Sequence, residues 1–349
     1  MTDTPQGVDL ARLQPWFAAN VEGATGGPLH AGLISGGRSN LTYFVGDDAH
    51  EWVLRRPPLG HVLPTAHDMA REYKVLAGLA PTSVPVPRPL AFCDDNAVND
   101  APFYVMEKVD GQILRTPQEL AKLSPEDARR CSEALVDVLV EIHAVDYNAV
   151  GLSDFGHPDG YLERQVRRWG EQWERSKTRE LPAIDDLARR LRAALPESPP
   201  PTIVHGDYRL DNTMLAPDDP GRIVAVLDWE MATLGDPLAD VGLFLLYWVR
   251  DEVAMQGVGA TIDSGKGFMT RDEIVGRYAN RSGRDVSQLA FYEALAAYKL
   301  AIILEGIHAR YLMGKTLGDG FDHIGGMVEA MVVRALDQAS QSSIPALRG

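Results

Sequence analysis

Nearly all strand-like sequence in this chain lies before Asp110, and most long segments after it have helical spacing. His30–Ile34, Leu41–Val45 and Glu51–Arg55 are short runs of strand composition separated by Gly-rich or Asp-rich breaks, and Leu90–Cys93 and Phe103–Val109 add two more. Leu13–Val21 is a short amphipathic segment ahead of them. Between the strands, Ala66–Leu79 sets Met69, Tyr73, Leu76 and Leu79 on one helical stripe, which the Pro-rich run Val84–Pro89 stops. Beyond Asp110, Pro125–Val145, Tyr161–Ser176 and Val286–Met313 predict long helices. Strands first and helices second predict an α+β chain of two lobes, with Asp110-Gly111 as the break. The β-rich lobe is then 1–109 and the larger, mostly helical lobe 110–349. The first eight residues and the last ten, Ser340–Gly349, read as frayed.

At 349 residues the chain is long for a single core, which agrees with two lobes. A net charge of −15 argues against a nucleic-acid partner, because counterion release needs a basic face. Cys93 and Cys131 are the only cysteines, too few for a disulfide framework or a zinc site, so a reducing cytoplasm is expected. The polar, acidic start Met1–Leu10 is not a secretory signal. The longest apolar run, Val241–Val249, is far too short to cross a bilayer, so a soluble protein with no membrane association is expected.

The segment that carries chemistry is Val204-His205-Gly206-Asp207-Tyr208-Arg209-Leu210-Asp211-Asn212. The apolar strand Ile223–Leu227 follows and runs into Asp228-Trp229-Glu230. Asp207 and Asn212, five residues apart, suit one loop that presents both side chains to one site. A carboxylate to accept a hydroxyl proton, with an amide oxygen for a metal, is what phosphoryl transfer needs. An Asp at the end of a buried strand supplies a second hard-oxygen ligand for Mg²⁺. Asp236-Pro237 reads as a helix N-cap with Pro at the first helical position, and Asp240 as a tie for the catalytic loop.

His205-Gly206-Asp207 with Asn212, Asp228-Trp229-Glu230 and Gly235-Asp236-Pro237-Leu238-Ala239-Asp240 together resemble the aminoglycoside phosphotransferase family of protein-kinase-like enzymes. Leu54-Arg55-Arg56-Pro57-Pro58, Arg71-Glu72-Tyr73 and Gly306 with Arg310-Tyr311-Leu312 resemble the branch found beside some acyl-CoA dehydrogenases. The resemblance spans roughly Leu13 to Ala335 and implies a bilobal protein-kinase-like fold. It implies that Asp207 is the catalytic base, that His205 orients its loop, and that Asn212 and Asp228 hold Mg²⁺. It also implies that Glu72 pairs with the cation on the third strand. Kinase-like enzymes usually place Lys there; here the matching residue is Arg55, whose charged fork can bridge Glu72 and phosphate oxygens.

The Gly-rich segment Ile34–Asn40 lies between two predicted strands, where Ser35, Gly36 and Gly37 would bring backbone N–H groups close to phosphates. On the family pattern, the backbone of Glu107 and Val109 would hydrogen-bond adenine and Met106 would pack beside the ring. Tyr161–Glu180 carries four acidic and six basic side chains with Trp169 and Trp173 among them, a local positive balance in an acidic chain. The expected activity is ATP- and Mg²⁺-dependent phosphoryl transfer to a hydroxyl of a small molecule: a hydroxy acid, a hydroxyacyl-CoA or an aminoglycoside-like compound. The alternative is a non-catalytic nucleotide-binding module that regulates or scaffolds a metabolic partner.

Overall fold

The structure is a computed structural model that describes residues 5–34, 40–59, 67–248, 262, 264–314 and 321–349. Helix α1 (Leu10–Asn20) starts at Asp9, whose side chain accepts the Arg12 N–H. Strands β1 (His30–Leu33), β2 (Leu41–Gly46), β3 (Glu51–Arg56), β4 (Pro89–Cys93) and β5 (Phe103–Glu107) form an antiparallel sheet in the order β1-β2-β3-β5-β4. The period of two divides β3 between the two faces of that sheet. Trp52 and Leu54 pack with Leu13 and Phe17 of α1, whereas Val53 belongs to the core of helix α2 (Met69–Leu79). Helix α2 begins three residues later than its periodicity predicts, because Asp68 caps it by accepting the Arg71 N–H at 3.0 Å.

Helix α3 (Asn96–Asn99) is a single turn between β4 and β5. The strand predicted to reach Val109 stops at Glu107. Gln112 exchanges two 2.8 Å backbone hydrogen bonds with Leu215, which draws the chain out of the sheet. Gly111 is required at that crossing, since a Cβ there would lie 3.0 Å from the Leu215 carbonyl oxygen and 2.9 Å from a Val224 methyl group. The rest is mostly helical: α4 (Pro117–Leu120), α5 (Pro125–Ala144), α6 (Tyr161–Ser176) and α7 (Pro182–Ala193) come first. Two two-stranded ribbons follow, β6 (Thr202–Val204) with β9 (Thr233–Gly235) and β7 (Thr213–Ala216) with β8 (Asp219–Val226). Helices α8 (Pro237–Trp248), α9 (Arg271–Ser282), α10 (Leu289–Leu312) and α11 (Ile324–Ser340) complete the larger lobe.

Helix α10 is buried on most sides because α6, α8 and α11 all pack on it. One hydrophobic core runs from Val53 and Tyr104 of the sheet through α5 to α10 and α11, so the two lobes share an interior. The expectation of a frayed end over Ser340–Gly349 is overturned. Helix α12 (Pro345–Arg348) docks there with Leu347 fully buried, and Arg348 Nε donates to the Ser342 carbonyl at 2.6 Å. Among the described residues, no helix is long and apolar enough to cross a membrane.

Candidate active site

Strand β6 delivers the chain into a loop held mainly by one buried carboxylate. Asp240, in the first turn of α8, accepts the backbone N–H groups of His205 at 2.6 Å and Gly206 at 2.8 Å. The ring of His143 reaches the same carboxylate at 3.3 Å, and its Nδ1 pairs with the Tyr278 hydroxyl at 2.9 Å. Burial opposes ionisation of Asp240, yet the hydrogen bonds from His143 and Gly206 hold its carboxyl below the usual carboxylate range. Burial also depresses His143, so the neutral ring donates Nε2–H to Asp240. Asp236 caps α8, with its Oδ1 accepting the Leu238 N–H at 3.0 Å. Gly206 lies at φ +82°, where a Cβ would sit 2.7 Å from the Met231 carbonyl oxygen. The His205 Nδ1 accepts the Asp207 N–H at 3.2 Å, which leaves Nε2–H to donate to the Leu227 carbonyl at 2.9 Å.

These bonds aim the Asp207 carboxylate. The Asn212 amide nitrogen donates to Asp207 Oδ2 at 3.0 Å and to the Asp207 carbonyl at 2.9 Å, which leaves the Asn212 amide oxygen as an acceptor. Leu227 N–H donates to the Asn212 carbonyl at 2.8 Å, so the residue before Asp228 is tied directly to the 205–212 segment. Asp228 itself adopts a left-handed conformation, φ 66°, at the end of β8. Among the described residues, no cluster of three or more His, Cys, Asp or Glu side chains could hold a metal. Two hard-oxygen side chains, an amide and a carboxylate, nevertheless fit Mg²⁺, which commonly takes one or two protein ligands and fills its shell with phosphate and water.

Arg55 joins this group from the sheet. Its Nε is 3.0 Å from Glu72 Oε1, and its Nη2 donates to Asp228 Oδ1 at 2.5 Å. Burial pushes the Glu72 carboxyl up to about 7 against the pull of Arg55, and Asp228 and Glu230 push in the same direction. The adjacent cation, Arg56, projects from the opposite face of β3 and donates to the carbonyls of Gly7 at 2.6 Å and Asn99 at 3.2 Å. Ser35, Gly36 and Gly37 lie outside the described residues. Met106 is buried on β5, opposite Val53. The Glu107 N–H is already bound to the Arg88 carbonyl at 2.9 Å, and Val109 follows the end of the sheet.

A cleft opens beside Gly206, lined by Tyr161, Gln165 and Trp169 of α6, Leu243 of α8, and Leu295 and Lys299 of α10. Lys299 Nζ donates to the Gly206 carbonyl at 2.8 Å. Several basic side chains on α6 and just after it are engaged elsewhere. Arg167 pairs with Glu171, Lys177 pairs with Glu174 and Glu180, and Arg164 binds the carbonyls of His157 and Asp159.

Three further groups escaped the sequence reading. Asn40 is buried, its amide nitrogen donates to Glu230 Oε2 at 3.1 Å, and its amide oxygen accepts from His67 Nδ1 at 2.8 Å. Its position at the end of the Gly-rich segment was the available signal. Arg209 stacks over the Tyr247 ring at 4.9 Å, with its Nε 3.7 Å from Asp207 Oδ2, and is visible in sequence only as part of the loop motif. Lys299 is marked by being the single charge in the apolar run Ala294–Leu304.

The profile of the phosphotransferase enzyme family matches residues 30–273. Acyl-CoA dehydrogenase family member 11 of Rattus norvegicus is 37% identical over 282 residues, which cover 80% of this chain and 36% of that protein. The chain thus spans about a third of the length of that relative. A crystal structure of a protein from Ralstonia eutropha is 34% identical with a TM-score of 0.85, covering 96% of this chain and 99% of that one. An aminoglycoside phosphotransferase in complex with GDP and kanamycin shares the fold at 15% identity and a TM-score of 0.58, covering 89% of this chain and 93% of its own. With its small antiparallel sheet, mostly helical remainder and loop motif, the chain belongs to the phosphotransferase enzyme family and has its bilobal protein-kinase-like fold.

Proposed function

We propose that this protein is an ATP-dependent kinase that transfers the γ-phosphoryl group to a hydroxyl of a small molecule. The observation that carries the reading is the convergence of Asp207, Asn212 and Asp228, linked by the Asn212–Asp207 and Leu227–Asn212 hydrogen bonds. Residues 1–109 supply the nucleotide side, with Arg55 and Glu72, and the backbone of Glu107 and Val109 beside Met106 takes the base. Residues 110–349 supply the catalytic loop and the acceptor side. Asp207 accepts the hydroxyl proton of the acceptor, and His205 keeps its loop in register. Asn212 and Asp228 would hold Mg²⁺, whose charge offsets that on the β- and γ-phosphates. The cleft residues favour a hydroxy acid or hydroxyacyl-CoA over a polycationic aminoglycoside, because its only carboxylate, Asp240, is already fully engaged. The direct test is Mg²⁺-dependent ATP turnover with hydroxy acids, hydroxyacyl-CoAs and aminoglycosides in turn. Acceptor-dependent release of ADP with the first two classes is expected, and transfer to the aminoglycosides alone would overturn the acceptor assignment.

Mg²⁺-ATP is expected to raise the melting temperature, and Asn212→Ala or Asp228→Ala to remove most of that rise. A ligand specific to the native state stabilises by about 2.7 kcal/mol at a hundredfold excess over its Kd. Differential scanning fluorimetry with and without EDTA reads the effect. An unchanged ATP shift in both variants would refute the metal assignment.

Arg55→Lys is expected to keep partial activity, and Arg55→Met to lose nucleotide affinity and turnover together. A lysine retains a charge for the phosphates but cannot reproduce the fork that spans Glu72 and Asp228. Steady-state kinetics with an ATP titration checks this. Full activity in Arg55→Met would place the essential cation elsewhere, and Arg56 is a poor substitute because it lies on the other face of β3.

A further inference from the structure

We infer that Lys299 binds an anionic oxygen group of the acceptor beside Asp207 and so selects which hydroxyl compounds the site takes. The inference rests on the phosphotransfer reading and adds a residue that decides acceptor charge. Lys299 lies in the apolar run Ala294–Leu304 of α10, a helix buried on most sides. A lysine at such a position ordinarily extends to solvent or meets a carboxylate, because a desolvated ammonium without a counter-charge is costly. Here it does neither. The side chain turns into the cleft, where Nζ donates to the Gly206 carbonyl at 2.8 Å and sits 5.9 Å from the Trp169 ring centroid.

Among the described residues, no carboxylate forms an ion pair with Lys299. Burial lowers its pKa, and the more distant charges of Asp207 and Asp240 pull it back upward. An ammonium has three N–H donors, and the Gly206 carbonyl takes one. The Gln165 amide adds donors beside it. Gln165 Oε1 already accepts the Trp169 indole N–H at 3.2 Å, which leaves the amide N–H bonds to offer. Asp240 has its oxygens committed to His143, His205 and Gly206. A cleft in which an ammonium without an ion pair and an amide N–H face the same space is complementary to a carboxylate or phosphate and disfavours a polycation. Because Lys299 grips the residue just before Asp207, an anion held there leaves the rest of the acceptor next to the base.

Calorimetric titration of wild type, Lys299→Met and Lys299→Arg tests this in the presence of Mg²⁺-ADP. The probes are 3- and 4-hydroxybutyrate against the matching hydroxybutyramides, and glycerol 3-phosphate against glycerol. We expect at least one anionic series to bind wild type, Lys299→Met to weaken it about tenfold or more, and Lys299→Arg to retain most of it. The neutral partners should change less than about twofold. The series that responds identifies the anion as carboxylate or phosphate, and an unchanged ADP titration confirms that the variant is folded. The proposal is overturned if no anionic probe binds wild type, if Lys299→Met binds them as well as wild type, or if anionic and neutral probes weaken alike. The last outcome would make Lys299 only a strut for Gly206. Lysine-dependent binding of anions without phosphoryl transfer would instead defeat the kinase reading and leave this assignment standing.

Discussion

Replacing Asp207 by Asn is expected to leave ATP binding near its wild-type level while turnover falls by roughly two to four orders of magnitude, the usual contribution of a positioned general base. The substitution preserves size and keeps an oxygen that can accept the Asn212 amide at the position now occupied by Asp207 Oδ2, 3.0 Å away. It removes the group proposed to take the hydroxyl proton, a transfer that comes late in a loose phosphoryl-transfer transition state. An ATP titration paired with steady-state transfer to the best acceptor measures both halves of the claim. Lost turnover with intact binding separates a kinase from a nucleotide-binding module. Wild-type transfer rates in the Asn variant would sink the assigned mechanism.

The other large effect is expected at Asp240, which has no chemical step in the proposed reaction. Asp240→Ala should lower folding stability by about 3–5 kcal/mol, the cost of removing one partner from a buried charged network. The His205 and Gly206 N–H groups and the His143 ring would all lose their acceptor. Activity should fall with stability, because the same bonds hold the loop that aims Asp207. Denaturant unfolding followed by fluorescence reads the loss, and a change below about 1 kcal/mol would show that the loop is held by something else. The pH dependence has a definite sign. The folded carboxyl titrates below the usual range, so its contribution is complete above about pH 4 and is lost as pH falls through the depressed value. Wild type should therefore lose more stability than Asp240→Ala on acidification below pH 4.

Local chemistry made much of this molecule legible in one dimension. Period-two runs, a helical stripe after Asp68 and the order of the two predict a sheet followed by helices, because side-chain periodicity is a property of the backbone itself. The loop motif was legible for the same kind of reason: His205, Asp207 and Asn212 lie within eight residues and bond to one another, so their spacing is already most of their geometry. Tertiary packing alone chose between Arg55 and Arg56, since a one-residue change of face sends one toward Glu72 and the other toward Gly7. Packing likewise engaged Arg164 and Arg167 away from the cleft and brought Lys299 in from 93 residues beyond Gly206. Asn40 meets Glu230 across 190 residues of sequence. The chain order by itself therefore determined the sheet followed by helices and the hydrogen-bonded loop. Only the fold decided which cations face that loop, because a long side chain is oriented by whatever elements close around it, and those elements are distant in sequence.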